Sequence, residues 1–268
     1  MTNYDKQNRQ IERLKRERDD VKRERDEAVV EYKRLYSILD GIMHETRRLN
    51  SIISSACESI SASIDAKNYS EASRHAENAF YSSGLISSRL TFADFEINPA
   101  SISRQQKHSS GVYKKFDKAR MILARSAKKR SVQITIQGHS QNKIDVLPAF
   151  EIVPFVLLDN AVKYSPDGQG VNICVADNPL PGIWIQVIIT SIGPLVPTEE
   201  LPKLVYRGYR GSCASKSNIP GEGIGLYLAD ALIRLSNGSI ELSSSQNTQY
   251  SINDIAYSNF IVTINFKK

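Results

Sequence analysis

Gly221-Glu222-Gly223-Ile224-Gly225-Leu226-Tyr227-Leu228-Ala229 places three glycines at alternate positions and then passes into an apolar helical pattern. Glycine has no Cβ, so backbone in such a turn can approach a ligand closely. The helix beyond it aims unpaired N–H groups and the positive end of its dipole at any anion lying there. A phosphate chain suits that place. Taken alone, the turn is equally well explained as punctuation before a helix. Its meaning depends on its company.

Upstream, Phe155-Val156-Leu157-Leu158-Asp159-Asn160-Ala161-Val162-Lys163-Tyr164-Ser165 reads as a helix stopped by Pro166-Asp167-Gly168. Asn160, Lys163 and Tyr164 stand at i, i+3 and i+4, so they share one face. That face offers an amide oxygen for a hard cation, an ammonium for phosphate and a ring for a base or ribose. These two motifs, with a second glycine motif near Gly193 and a variable segment between, resemble the N box and G2 box of the GHKL ATPases. The closest resemblance is to the ATP-binding domain of sensor histidine kinases.

The chain has 268 residues and a formal net charge of +6, enough for one core plus extended helical structure. No apolar run approaches the roughly 18–20 residues of a membrane span. The polar, charged start of the chain is not expected to act as a secretory signal. Cys57, Cys174 and Cys213 are widely spaced and form no C-x-x-C pair, which fits a reducing cytoplasm. Charge is densest between Lys6 and Arg34, where acids and bases alternate. That is the pattern of a solvated helix surface rather than a phosphate-binding patch, so no nucleic-acid partner is expected.

The N-terminal region has a seven-residue period. Leu14, Val21, Ala28, Leu35, Ile42 and Leu49 form one line, and Ile11, Tyr32, Leu39 and Ile53 the partner line. These are the d and a positions of a coiled coil, with Arg18 and Arg25 weakening the early turns. A long helix cannot bury such a seam alone, and a homodimer is expected.

His44 falls at an f position, pointing away from the seam. Met43-His44-Glu45-Thr46-Arg47-Arg48-Leu49 resembles the H box of histidine kinases, where an acid directly follows the phospho-accepting histidine. An exposed imidazole nitrogen can attack a γ-phosphate in line, and Glu45 can orient the ring and accept its other proton. The box lacks its usual proline. Arg48 also stands where a short polar residue commonly supports phosphatase activity. His75, His108 and His139 have no comparable setting and read as surface residues.

After a turn at Asp65–Asn68, Ala72, Ala76, Ala79, Ile86 and Leu90 follow helical spacing to about Phe95. Folding this helix back on the first makes a hairpin, and two hairpins make a four-helix bundle. The expected organisation is a coiled-coil stalk over 1–37, a dimerisation and phosphotransfer hairpin over 38–97, a linker over 98–111 and an ATP-binding domain over 112–268.

In the last region, helices are expected at Val112–Lys129, Ile152–Tyr164 and Ile224–Leu235. Strands are expected at Val132–Gln137, Val171–Val175, Ile183–Thr190, Ser239–Ser243 and Phe260–Phe266. Pro154 would kink its helix unless it lies in the first turn. The fold class is α+β: a coiled coil and helical hairpin followed by an α/β two-layer sandwich, which the resemblance identifies as the GHKL ATPase (Bergerat) type.

The resemblance implies ATP and Mg²⁺ as ligands. Asn160 would hold the metal, Lys163 would contact phosphate, and Tyr164 would pack beside the nucleoside. Gly221, Gly223 and Gly225, with Leu226 beside them, would present N–H groups to the triphosphate. Arg207 and Arg210, in Tyr206-Arg-Gly-Tyr-Arg-Gly211, fall at the start of the lid and are candidate transition-state cations.

Two departures stand out. Ser191-Ile192-Gly193-Pro194-Leu195 has serine where the family carries an adenine-binding aspartate, and leucine in place of a second glycine. Val156 replaces the first asparagine of the N box. A neutral hydroxyl makes a weaker contact than a carboxylate, so weaker ATP binding or looser base choice is expected.

The implied function is a dimeric two-component histidine kinase that phosphorylates His44 and passes the phosphoryl group to a response-regulator aspartate. Input would arrive through the stalk, through a partner or not at all, since no separate sensor domain is visible. Two alternatives stay open. One is a degenerate nucleotide-binding regulator without autokinase activity; the other is a serine/threonine kinase on the same ATP fold.

Overall fold

The structure, a computed structural model, describes residues 3–98, 100, 104–217, 219, 221 and 223–268. The chain divides into two units, Met1–Arg48 and Leu49–Lys268.

The first unit consists of the N-terminal part of helix α1, which spans Asn3–Asp65. Its seam residues Leu14, Val21, Tyr32 and Leu39 are 57%, 64%, 67% and 45% exposed. The chain by itself leaves the seam uncovered there. Ion pairs such as Arg13–Glu17 and Arg23–Asp20 lie between neighbours on the same helix and are exposed. Solvent screens them, so they add little to stability.

In the second unit α1 ends at Asp65, and a turn with Lys67 at φ 55° leads to Asn68. The Asn68 carboxamide accepts from the Glu71 N–H at 3.2 Å, capping α2 (Tyr69–Ile97). Ala72 and Ala93 of α2 are buried, whereas Leu90 is 50% exposed. Phe95 meets Tyr227 edge-on, with ring centroids 5.7 Å apart, so α2 touches the domain that follows.

That domain begins with β1 (His108–Gly111), paired antiparallel with β3 (Lys143–Val146). The end of the expected linker is therefore a strand. His108-Ser109-Ser110-Gly111 has no apolar alternation to betray it, and the pairing rests on backbone hydrogen bonds. Helix α3 (Val112–Lys129) buries Val112, Phe116, Leu123 and Ala127. Strand β2 (Gln133–Gly138) follows, then a 3₁₀ turn at Pro148–Glu151 that runs into α4 (Ile152–Tyr164).

The main sheet is formed by β2, β4 (Gly170–Asp177), β5 (Ile185–Pro194), β8 (Ile255–Phe266) and β6 (Gly238–Ser244), in that order. Short β7 (Tyr250–Ile252) pairs with β8. Only β2 and β4 run parallel; the other pairs are antiparallel. Along β5 burial alternates: Ile185, Val187, Ile189 and Ser191 are buried, while Gln186, Ile188 and Thr190 are not. This period of two fixes the register, because a one-residue slip would turn every apolar side chain out of the core.

Helices α3, α4 and α6 (Gly225–Leu235) pack together over the buried face. Leu158, Leu228 and Leu232 of the helices and Ile173, Ile189 and Phe266 of the strands are fully buried, and Phe150 stands edge-on to Phe266 at 5.9 Å. The result is the expected two-layer α/β sandwich.

Candidate nucleotide-binding site

Helix α4 carries the polar face predicted from its spacing. Ile152 through Leu158 are all buried, so packing holds the helix irrespective of its β-branched residues. Pro154 falls in the first turn, where no intrahelical N–H bond is required of it. At the other end the Ser165 N–H and hydroxyl both donate to the Ala161 carbonyl, at 3.1 and 2.7 Å.

Arg130 closes the same end. Its guanidinium donates to the carbonyls of Val162 (2.7 Å), Lys163 (2.9 Å) and Ser165 (2.8 Å), and to Asp167 (3.1 Å). A cation at the negative end of the helix dipole satisfies carbonyls that helix geometry leaves open. The last turn of α4, which bears Lys163 and Tyr164, is thereby fixed. Sequence reading missed Arg130, because it sits 32 residues before its first acceptor in a basic run with no motif.

The glycine turn lies directly on that face. A Cβ at Gly221 would come 3.0 Å from Lys163 Nζ and 3.2 Å from the Tyr164 hydroxyl. One at Gly225 would come 2.9 Å from both Asn160 Nδ2 and Val156 Cγ1. Gly223 has φ +70°, and a Cβ there would sit 2.5 Å from the Tyr209 carbonyl oxygen. Each of the three glycines thus has its own steric reason. The Gly208 N–H also donates to the Gly223 carbonyl at 3.1 Å, tying the turn to the start of the lid.

Between these elements lies a cavity of about 220 Å³. Its lining brings together Asn160, Lys163, Tyr164, Ser191, Gly193, Arg210, Gly221, Gly223, Gly225 and Leu226. Lys163 Nζ lies 5.0 Å from the centroid of the Tyr164 ring. Gly193 would put a Cβ 3.9 Å from Tyr164 Cβ, so β5 approaches the ring from the sheet side. Ser191 is 6% exposed and faces the cavity among Ile189, Phe260 and Val262.

The two arginines part company. Arg207 is exposed and lies outside the lining. Arg210 lines the cavity, and it donates to the carbonyls of Ala214 (2.9 Å) and Ile219 (2.8 Å). It therefore staples the segment around the short helix α5 (Ser212–Lys216); its Nε is buried without a partner among the described residues. His44 and Glu45 belong to α1, and their side chains lie outside the described residues.

Asp159 and Tyr209 are polar lining residues that were not foreseen. Asp159 adjoins Asn160 in the N-box helix, and Tyr209 lies in the aromatic, basic segment. Burial, then the nearby Glu200 and Glu199, push the Tyr209 phenol above its ordinary pKa, so it is neutral at physiological pH.

Among the described residues no group of three or more His, Cys, Asp or Glu could hold a metal ion. A hard cation here would draw its oxygens from the Asn160 amide and from a bound phosphate chain, which suits Mg²⁺ better than a cation needing an all-protein cage. The ammonium, the glycine backbone and the adjoining apolar cleft fit a nucleoside triphosphate.

The sequence profile of the histidine kinase-, DNA gyrase B-, and HSP90-like ATPase family matches residues 150–260. The sensor histidine kinase Hik2 of Thermosynechococcus vestitus is 39% identical over 88 residues, 33% of this chain and 22% of that protein. The sensor protein QseC of Escherichia coli is 30% identical over 121 residues, 44% of this chain and 24% of that protein. The chain thus spans about a quarter or less of the curated relatives it matches. The cytoplasmic segment of histidine kinase QseC superposes with a TM-score of 0.45 at 15% identity, covering 68% of this chain and 95% of that one. Residues 150–260 thus resemble the ATPase domain of that family, and the relatives they match are sensor histidine kinases.

Proposed function

We propose that this protein is an ATP-dependent, autophosphorylating histidine kinase of a two-component system. The observation that carries the reading is the contact between the two motifs: the glycine turn lies against Asn160, Lys163 and Tyr164 around one cavity. The histidine kinase relatives support it.

Each residue has a role in this reading. Lys163 neutralises phosphate charge, and the backbone N–H groups of Gly221, Gly223 and Gly225 hold the triphosphate. Tyr164 packs beside the nucleoside. Asn160 would supply an oxygen to Mg²⁺, which would provide charge neutralisation when bound. Phosphoryl transfer is largely a matter of positioning and electrostatics. The His44 ring nitrogen forms a bond to the γ-phosphorus as the bond to the ADP oxygen breaks; Glu45 orients the ring and takes the proton from its other nitrogen. A receiver-domain aspartate then takes the phosphoryl group. Arg210 is a lid staple in this account, and Arg207 has no part in the cavity.

The exposed seam of α1 supports a homodimer, in which two α1–α2 hairpins form a four-helix bundle. Cys57, Cys174 and Cys213 are all unpaired, which suits a cytoplasmic location. No described helix is long and apolar enough to cross a membrane.

A second reading, a nucleotide-binding regulator without autokinase activity, is favoured by one observation, the absence of a carboxylate at Ser191. Incubation with γ-labelled ATP separates the two. The kinase reading requires acid-labile, base-stable label on the protein, and the regulator reading requires nucleotide binding with none.

A further inference from the structure

Asp159 lines the cavity and has no part in the chemistry described so far. It is half-buried on α4, beside Asn160 and one helical turn before Lys163. Side chains at i and i+4 are neighbours on a helix surface. Lys163 in turn lies against the glycine turn, its Nζ 3.0 Å from the place of a Gly221 Cβ. The carboxylate therefore stands next to the ammonium and the amide, on the helix that faces the glycine turn.

The charges around the cavity decide which anion it can hold. Among the described lining residues Lys163 and Arg210 are the cations and Asp159 is the one carboxylate. Arg210 directs Nη2 to the lid carbonyls of Ala214 and Ile219. Tyr209 is neutral. A bare triphosphate thus meets the Lys163 ammonium with a carboxylate alongside, and like-charge repulsion offsets much of the attraction.

A divalent cation reverses the sign. It cancels about two charges of the phosphate chain, and a carboxylate close by favours it, directly or through its water shell. Setting a like charge against the wrong partner is one way a site rejects it.

We infer that Asp159 makes the cavity selective for the metal-complexed triphosphate over the free one. This rests on the proposed nucleotide site and deepens it. Asp159 sets specificity here and takes no part in the transfer itself.

The test is calorimetric titration of the 268-residue chain with ATP, in excess Mg²⁺ or in EDTA at matched ionic strength. The wild type, Asp159→Asn and Asp159→Glu are compared. The wild type is expected to bind Mg-ATP about thirtyfold more tightly than free ATP, and Asp159→Asn to cut that ratio to about threefold. Asp159→Glu keeps the charge and is expected to keep the ratio. A merely structural role would weaken both forms alike, so an unchanged ratio in folded Asp159→Asn overturns the inference. A wild type that binds both forms equally also overturns it and leaves the ATP site standing. Binding of neither form overturns the proposed function with it. If Asp159→Asn does not fold, Asp159→Ser is read in the same way, and if neither folds the wild-type ratio decides.

Discussion

Gly225 and Asn160 are in contact so close that a Cβ on the glycine would lie 2.9 Å from the asparagine amide nitrogen. The first turn of α6 therefore packs directly on the polar face of α4. Val156, which stands in the N box where an asparagine is usual, closes the same contact from the other side, also at 2.9 Å. Gly225→Ala must push Asn160 or Val156 aside. Overpacking of this kind costs about 1–3 kcal/mol, and losing one polar contact to the ligand costs about 1 kcal/mol. The variant is expected to melt lower and to bind Mg-ATP roughly tenfold more weakly, measured by thermal denaturation and nucleotide titration.

Arg130 gives a second prediction. It ties three carbonyls at the end of α4 to the end of α3. Arg130→Ala leaves those carbonyls to water, and urea denaturation is expected to register a loss of about 1–3 kcal/mol. Arg130→Lys keeps the charge but cannot fork across three acceptors, so it should restore only part of that loss.

The coiled-coil seam supplies a third. Leu39 is 45% exposed in the single chain and occupies an a position. Leu39→Asp places a charge in the dimer seam, and light scattering is expected to find monomer where the wild type is dimeric. An unchanged dimer would mean that the seam is not the interface.

Removal of Mg²⁺ gives the fourth. Without a protein carboxylate cage, the cation would be held by Asn160 and the phosphates, so chelation should weaken ATP binding, and Asn160→Asp should alter the Mg²⁺ dependence. Titration of ATP with and without EDTA reads both.

Much of this was legible in the chain itself. Helices α3 and α4 run from Val112 to Lys129 and from Ile152 to Tyr164, as their apolar spacing predicts, because both ends carry local stop signals. The strands β2, β4, β5, β6 and β8 were found by their alternation. β1, β3 and β7 were not: each is only three or four residues long, and although β3 alternates, with Ile144 and Val146 buried, the run is too short to stand out. Within the site, the residues on the N-box face and in the glycine turn were legible because spacing alone places them together. Arg130 was not, because its role depends on a tertiary fold-back. Arg207 and Arg210 look alike in sequence, yet only Arg210 reaches the cavity, and there it holds carbonyls of the lid.

The central claim is that this cavity serves phosphorylation of His44. The most direct measurement is incubation of the purified protein with γ-labelled ATP and Mg²⁺, beside His44→Gln and Asn160→Asp. The account predicts acid-labile, base-stable label on the wild type and none on either variant. Label that persists in His44→Gln, or no label on a folded protein that binds ATP, would contradict it.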